Sequence, residues 1–235
     1  MNKSAVVLLS GGLDSVTALA LASSEGFEAY CISFDYGQRH RVELECAAKA
    51  AKQFNVLEYK VIHIDPYTFS GSALTSERRV PKRIDFSHLS SCETAVTYVP
   101  ARNTIFLSYA LGYAEINDSD YIFIGANAAD YFNYPDCRSE YINAYESMAN
   151  LATARGISGR KLQIKAPFLT MKKSEIISIG LKLGVDYALT SSCYHATMTD
   201  RACGVCDACL LRSVAFHEIG MEDPLFYECE ASSGM

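Results

Sequence analysis

A short apolar run followed at once by two glycines limits the folds open to this chain. Residues 4–9, SAVVLL, are mostly apolar and include β-branched valines, which favours a central strand buried on both faces. Gly11 and Gly12 end the run, and apolar residues at helical spacing continue from Ser15 to about Ser24. The run is too short for the apolar core of a signal peptide. The sequence therefore predicts a strand, a glycine turn and a helix.

The same alternation recurs along the chain. It predicts further strands at about 28–34, 58–64, 121–124 and 162–165, and helices at about 41–54, 103–116 (capped by Asn103), 140–155, 174–183 and 210–218. Strands separated by helices pair in parallel. We therefore expect an α/β fold, Rossmann-like, with a five-stranded parallel sheet and helices on both faces. This domain covers 1–190, and a small C-terminal module follows over 191–235.

One segment, 65–100, interrupts the alternation. It is polar, contains Pro66, Pro81 and Pro100, and carries the charged stretch ERRVPKR. Insertions of this length within a domain are often functional, so we interpret it as a lid or a subunit contact. A passive surface excursion explains the composition equally well.

Charge and hydropathy exclude two classes of partner. The chain has 21 basic and 27 acidic residues, a net charge of −6, without a long basic run, which argues against nucleic acid as a partner. It has no stretch of 18 uncharged apolar residues, so no membrane span is expected. Nine cysteines, an odd number, indicate reduced thiols and metal ligands rather than disulfides, and hence a cytoplasmic location.

The turn after the first strand is a candidate anion site. Ligands of open parallel sheets bind beyond the carboxyl ends of the strands, where Ser10–Ser15, SGGLDS, is expected to lie. The glycines let the backbone approach a ligand, Ser10 and Ser15 supply hydroxyls, and a helix N-terminus favours negative charge. The spacing matches neither Gly-x-x-x-x-Gly-Lys-Ser/Thr nor Gly-x-Gly-x-x-Gly. A plain turn in which Asp14 and Ser15 cap the helix is the alternative.

Four cysteines near the C-terminus form a candidate metal site. Cys193, Cys203, Cys206 and Cys209 are separated by nine, two and two residues. Four thiolates at such spacing can close a tetrahedral structural zinc site, which leaves no position open for substrate. An iron–sulfur cluster is the alternative, although Leu210 and Leu211 follow Cys209 where ferredoxins have Cys-Pro. We interpret the C-terminal module as zinc-binding.

The string SGGLDS after a buried first strand resembles the PP-loop of the N-type ATP pyrophosphatases, which transfer AMP from ATP and release pyrophosphate. The resemblance implies an adenine nucleotide alpha hydrolase-like fold, and ATP as a substrate bound with Mg²⁺. Asp14 would help to hold the ion, and Lys165 and Lys173 would bind phosphate. The implied nucleotide-binding residues are Leu8, Leu9, Ser10, Gly11, Gly12, Leu13, Asp14, Ser15, Val16, Thr17 and Ala18.

Further segments across nearly the whole chain resemble the 7-cyano-7-deazaguanine synthase family of queuosine precursor biosynthesis. They are FDYGQRHRVEL (34–44), YVPARN (98–103), GANAADY (125–131), YPDCR (134–138), KAPF (165–168) and CGVCDACLLR (203–212). Departures from the pattern stand beside the expected pocket, at Ala101, Phe132, Asn133, Ser139 and His195.

This second resemblance implies a ligase that converts 7-carboxy-7-deazaguanine, ammonium and ATP to the nitrile through adenylated carboxylate and amide intermediates. It implies a homodimer, and the chain has no room for a glutamine-hydrolysing domain, so free ammonium is the expected donor. Arg102, Lys165 and Asp14 are the candidate catalytic residues. The candidate substrate-binding residues are Gln38, Arg39, Asp130, Tyr131, Asp136 and Arg138.

Two other functions compete with this interpretation. A transfer RNA sulfurtransferase or lysidine-type PP-loop enzyme would need an RNA-binding surface, against which the acidic balance argues. A zinc module that binds nucleotide as a regulator, without turnover, is the second.

Overall fold

Five parallel strands form one sheet in the computed structural model, which describes residues 3–69, 71–76, 96–127, 134–195 and 201–228. The strands are β1 (Lys3–Leu8), β2 (Phe27–Asp35), β3 (Glu58–His63), β4 (Tyr121–Ile124) and β5 (Gln163–Lys165). Their order is β3-β2-β1-β4-β5, and every neighbouring pair is parallel. The order reverses between β2 and β4, so β1 is central and its carboxyl end lies at the switch point where such sheets bind ligands.

Seven α-helices accompany the sheet within the described residues. They are α1 (Leu13–Ser24), α2 (Val42–Gln53), α3 (Arg102–Ile116), α4 (Ser139–Ala152), α5 (Ala154–Ile157), α6 (Lys173–Lys182) and α7 (Asp207–Glu218). None of these helices is long and apolar enough to cross a membrane.

Alternate residues of β1 supply the two halves of the core. Val6 and Leu8 pack in one buried cluster with residues of α3 and α4, whereas Val7 packs in the other with residues of α1, α2, α6 and α7. Val6 and Val7 are both fully buried. Burying one such side chain contributes roughly 1.5–3 kcal/mol, which explains why the sequence of β1 is apolar throughout. The expected α/β fold with helices on both faces is confirmed.

Two details of the predicted helices are wrong. Asn103 lies inside α3, and the carboxylate of Asp136 takes over its expected capping role by accepting a hydrogen bond from the Asn103 backbone N–H (3.0 Å). The helix predicted over 140–155 is broken at Thr153, which has extended backbone angles and accepts a hydrogen bond from Gly156 N (3.3 Å). Thr153 thereby caps α5 and ends α4, because its hydroxyl competes with the helical backbone bonds.

The C-terminal residues pack onto the sheet domain. The four cysteines belong to the buried cluster that contains Val6 and Leu8. Arg212 of α7 is 1% exposed, pairs with Asp223 through Nε (2.8 Å) and Nη2 (3.0 Å), and donates to the backbone oxygen of Tyr187 (2.8 Å). The division into 1–190 and 191–235 stays a prediction.

The inserted segment 65–100 also contributes to the core where the structure describes it. Phe69, Ala73, Leu74 and Val99 are buried in the cluster that contains Val6. Residues 70 and 77–95 lie outside the described residues, so the predicted lid or subunit contact stays a prediction.

Candidate functional site

The PP-loop is shaped by hydrogen bonds between its own serines. Ser15 Oγ accepts hydrogen bonds from the backbone N–H (3.1 Å) and the hydroxyl (3.0 Å) of Ser10, and it donates to the oxygen of Gly12 (3.0 Å). Ser10 Oγ in turn accepts from the N–H of Gly12 (3.3 Å). The loop is therefore closed upon itself at the N-terminus of α1, where the positive end of the helix dipole favours an anion.

Two glycines allow other elements to touch this loop. A Cβ atom on Gly11, whose φ is +83°, would lie 2.0 Å from the backbone oxygen of Glu43 in α2. A Cβ atom on Gly125, which follows β4, would lie 2.8 Å from the backbone nitrogen of Ser15. Real Cβ contacts are not this short, so glycine is needed at both positions. The loop is thus held between α2 and the end of β4.

Asp14 and Lys173, both predicted site residues, form an ion pair. Lys173 Nζ lies 2.7 Å from Asp14 Oδ2, and the two side chains are only 10% and 21% exposed. Asp14 Oδ1 is buried and has no hydrogen-bond partner among the described residues. An unsatisfied carboxylate oxygen beside an anion cradle fits a hard cation such as Mg²⁺, which takes oxygen ligands.

A cavity of about 260 Å³ opens over the loop at the carboxyl edge of the sheet. Residues 8–10 and 12–15 line it, together with Gln38, Arg39, Arg102 and Lys173. These residues come from four separate stretches of the chain. The structure thus brings most of the predicted nucleotide-binding residues together with three residues predicted for substrate or catalysis.

Other predicted residues lie elsewhere. Gly11, Val16, Thr17 and Ala18 do not line the cavity, and Thr17 Oγ1 is instead hydrogen-bonded to Tyr187 OH (2.8 Å) in the core. Lys165 Nζ lies over the ring of Tyr121, 5.7 Å from its centroid.

Asp136 and Arg138 also lie outside the cavity lining, and Asp130 and Tyr131 lie outside the described residues. Asp136 is buried at the start of α3, and Arg138 Nε donates to the oxygen of Pro135 (3.2 Å). The roles of all four in binding substrate stay predictions.

Arg102 presents its guanidinium to the cavity from the first turn of α3. Its Nη1 donates to Tyr36 OH (3.1 Å), and its guanidinium carbon lies 6.0 Å from the centroid of the same ring. Burial raises the pKa of Tyr36, so its hydroxyl stays protonated. Arg102 is therefore a fixed positive charge opposite the loop.

Glu43 is a cavity residue that the sequence analysis did not single out. It lies in the first turn of α2, and its Oε1 accepts a hydrogen bond from Gln38 Nε2 (3.0 Å). Burial raises its pKa to about 7, against the opposing effects of Arg102 and the Gln38 hydrogen bond. Its position could have been found from the rule that placed the PP-loop, because α2 begins just beyond the carboxyl end of β2.

The four predicted metal ligands meet at one point. The Sγ atoms of Cys193, Cys203, Cys206 and Cys209 all lie within 4.8 Å of one another, and all four residues are buried. Sulfurs around tetrahedral zinc, bound at about 2.3 Å, lie about 3.8 Å apart, so the cluster fits this ion. Backbone N–H groups of His195 and Cys203 point at Cys193 Sγ (both 3.3 Å), which stabilises thiolate charge.

Comparison with known proteins identifies the family. The family model described as queuosine biosynthesis protein QueC matches residues 4–220. The 7-cyano-7-deazaguanine synthase of Saccharophagus degradans is 53% identical over 227 residues, which cover 96% of this chain and 98% of the relative. That of Cellvibrio japonicus is 54% identical over 226 residues, covering 96% and 98%.

Among solved structures, the NMN synthetase of Francisella tularensis superimposes with a TM-score of 0.49 at 18% identity, covering 94% of this chain and 79% of that chain. The sequence matches span almost the full length of both partners and include the loop, the cavity and the four cysteines. The chain therefore belongs to the queuosine biosynthesis protein QueC family of enzymes, as its segments from Phe34 to Arg212 had indicated.

Proposed function

We propose that this chain is an ATP-dependent ligase that converts 7-carboxy-7-deazaguanine and ammonia to 7-cyano-7-deazaguanine and releases AMP and pyrophosphate. The observation that carries the proposal is one cavity shared by the PP-loop, the Asp14–Lys173 pair and Arg102. The names of relatives at 53–54% identity supply the product, 7-cyano-7-deazaguanine, and the acid substrate follows from the family resemblance of the sequence.

The loop side of the cavity is suited to the nucleotide. Phosphate oxygens would bind to the hydroxyls of Ser10 and Ser15 and to the N-terminus of α1. The Lys173 ammonium would lie opposite the negative charge of the phosphates. Asp14 would hold Mg²⁺, which when bound neutralises charge on the phosphates. Ser192 Oγ accepts from the N–H of Leu13 (3.4 Å), which ties the cysteine segment to this loop.

The chemistry explains why ATP is needed. A carboxylate is a poor electrophile, and transfer of AMP to its oxygen creates a leaving group that ammonia can displace to give an amide. A second transfer, to the amide oxygen, allows elimination to the nitrile. Arg102 would stabilise the charge that develops on oxygen, because it is already held in place by Tyr36 before the reaction begins.

The four-cysteine cluster would bind zinc in a structural role. A closed shell of four thiolates leaves no position for substrate, so the metal would hold the segment from Cys193 to α7 against the cavity. We further propose that the protein is a cytoplasmic homodimer that acts on small molecules and does not bind nucleic acid. The net charge of −6 supports the absence of nucleic acid binding.

Mass spectrometry tests the reaction. The zinc-loaded protein is incubated with ATP, Mg²⁺, ammonium and 7-carboxy-7-deazaguanine, and the nitrile, AMP and pyrophosphate are followed together. We expect a nitrile that requires both ATP and ammonium, and its near absence with the Lys173→Met variant. If folded, metal-bound protein leaves the acid intact and forms no AMP, the proposal is wrong, and salt-dependent binding of transfer RNA becomes the next measurement.

A further inference from the structure

Glu43 is held at the cavity wall by a chain of hydrogen bonds. Gln38 Nε2 donates both to Glu43 Oε1 (3.0 Å) and to the backbone oxygen of Phe34 (2.8 Å). Gln38 Oε1 accepts from the N–H of Tyr36 (2.8 Å). Gln38 is 6% exposed, so the end of β2 fixes its amide and the amide fixes the carboxylate. Gln38 is a positioning residue in this arrangement.

Only two acidic side chains line the cavity within the part of the chain that the structure describes, Asp14 and Glu43. Asp14 is paired with Lys173 through Oδ2 at 2.7 Å, and its Oδ1 is the oxygen proposed above to hold Mg²⁺. Glu43 accepts a hydrogen bond from a neutral amide, and its attraction to Arg102 does not outweigh the effect of burial on its pKa. Glu43 is therefore the carboxylate that can take up a further cation.

The titratable groups that interact with Glu43 do not replace it, and His40, which also lines the cavity, is hydrogen-bonded through Nε2 to Ser191 Oγ (2.7 Å). Tyr36 and Arg102 interact with it from just beyond β2 and from α3, and Glu43 in turn influences Cys46 of α2 and Tyr59 of β3. Burial raises the pKa values of Tyr36, Cys46 and Tyr59, so these groups stay neutral at neutral pH. Glu43 alone among them changes charge near pH 7, where a proton acceptor is most effective.

We propose that Glu43 binds the ammonium ion and accepts the proton that this ion must lose before its nitrogen can attack. The inference rests on the proposed function and names a catalytic residue within that reaction. Ammonium has no lone pair, so it transfers one proton to the Glu43 carboxylate and becomes ammonia. The nitrogen lone pair then forms the bond to the acyl carbon, the bond from that carbon to the AMP oxygen breaks with its electron pair, and a second proton leaves the nitrogen for solvent.

The geometry favours a small donor over the ring of the substrate. A carboxylate that recognises the edge of a guanine-like ring uses both oxygens for two parallel N–H groups. Here Gln38 Nε2 already donates to Oε1 of Glu43, so a partner with two parallel N–H groups would have to share that oxygen with the amide, whereas a single N–H donor can use Oε2 alone. An ammonium ion needs no more than this.

Hydroxylamine separates proton removal from the other steps. It is largely unprotonated at neutral pH, attacks acyl adenylates directly, and gives a hydroxamate that mass spectrometry detects. We expect Glu43→Gln to lower kcat/KM for ammonium by about 10²-fold or more, the range of general base catalysis, while the rate of hydroxamate formation stays within about threefold of wild type. Glu43→Asp should recover part of the ammonium activity, and the loss in Glu43→Gln should be relieved as pH rises and free ammonia accumulates.

Glu45→Gln is the matched control, because Glu45 is exposed on the same helix two residues away. It should leave both activities unchanged, and equal thermal melting of all variants shows that they fold. Equal ammonium kinetics for wild type and Glu43→Gln would overturn the inference. A parallel loss of hydroxamate, with a raised KM for the acid, would show instead that Glu43 binds the ring. Absence of AMP with the wild type would refute the proposed function itself and this assignment with it.

Discussion

Gly125→Ala should weaken ATP binding while the protein stays folded. The added Cβ would lie 2.8 Å from Ser15 N and 2.9 Å from both Asp14 C and Ser15 Cα, roughly half an ångström short of ordinary contact. All three atoms are backbone at the start of α1, so no side chain can rotate away. The loop must move, and overpacking of this kind costs about 1–3 kcal/mol. For a domain of this size the melting temperature should fall by about 2–12 °C, at 2–4 °C per kcal/mol.

The affinity for ATP should fall as well, by a free energy similar to this stability loss. In the proposed function, the N–H groups of the displaced loop bind phosphate, and one hydrogen bond to a charged group is worth about 1.5–3 kcal/mol. Losing one or two of them predicts a Kd for ATP–Mg²⁺ raised at least 10-fold, measured by calorimetry below the melting temperature.

Gly112→Ala is the control, because its Cβ in α3 would meet nothing within 4 Å. This change should raise stability by up to about 1 kcal/mol through helix propensity and leave ATP affinity unchanged. If Gly125→Ala binds ATP as tightly as wild type, the contact between Gly125 and the loop does not determine the shape of the ATP site. The requirement for glycine at this position is then refuted.

Three further perturbations test other parts of the structure. Arg212→Met leaves the buried Asp223 without its ion-pair partner and should lower the free energy of unfolding by about 3–5 kcal/mol in urea titrations. The double variant with Asp223→Asn should lose much less stability, and equal losses in the two variants would contradict a buried ion pair. Cys209→Ser should lose zinc by elemental analysis and lower the melting temperature, while Cys31→Ser, at a thiol outside the cluster, should retain full metal content. The raised pKa of Glu43 means that the folded state binds more protons than the unfolded state, so its contribution to stability falls as pH rises from the ordinary glutamate range through about 7. Glu43→Gln should therefore gain stability relative to wild type with rising pH, and a constant difference between about pH 5 and 8 would contradict the shift.

The strands and most helices could be predicted because their signals are local. Tyr121–Ile124 agrees with its predicted bounds, and β1 and β2 agree within one residue at each end. These elements follow from apolar periodicity, which the sheet and helix geometries impose within a few residues. The break at Thr153 was missed because it depends on a hydrogen bond from Gly156 N to the threonine hydroxyl. A threonine can occupy either a helix interior or a helix cap, so the residue type alone does not predict which one forms.

The amino-acid sequence by itself determined the fold class, the position of the candidate anion-binding turn and the cysteines that form the candidate metal site. Each depends on residue types at short spacing, such as SGGLDS or the cysteines at 203, 206 and 209. Only the tertiary structure decided which distant groups share the cavity: Glu43 lies in it, whereas Lys165 and Asp136 do not. The physical reason is that a pocket at the edge of a parallel sheet is built from the ends of several strands. Their relative positions follow from strand order and helix packing, which no local pattern encodes.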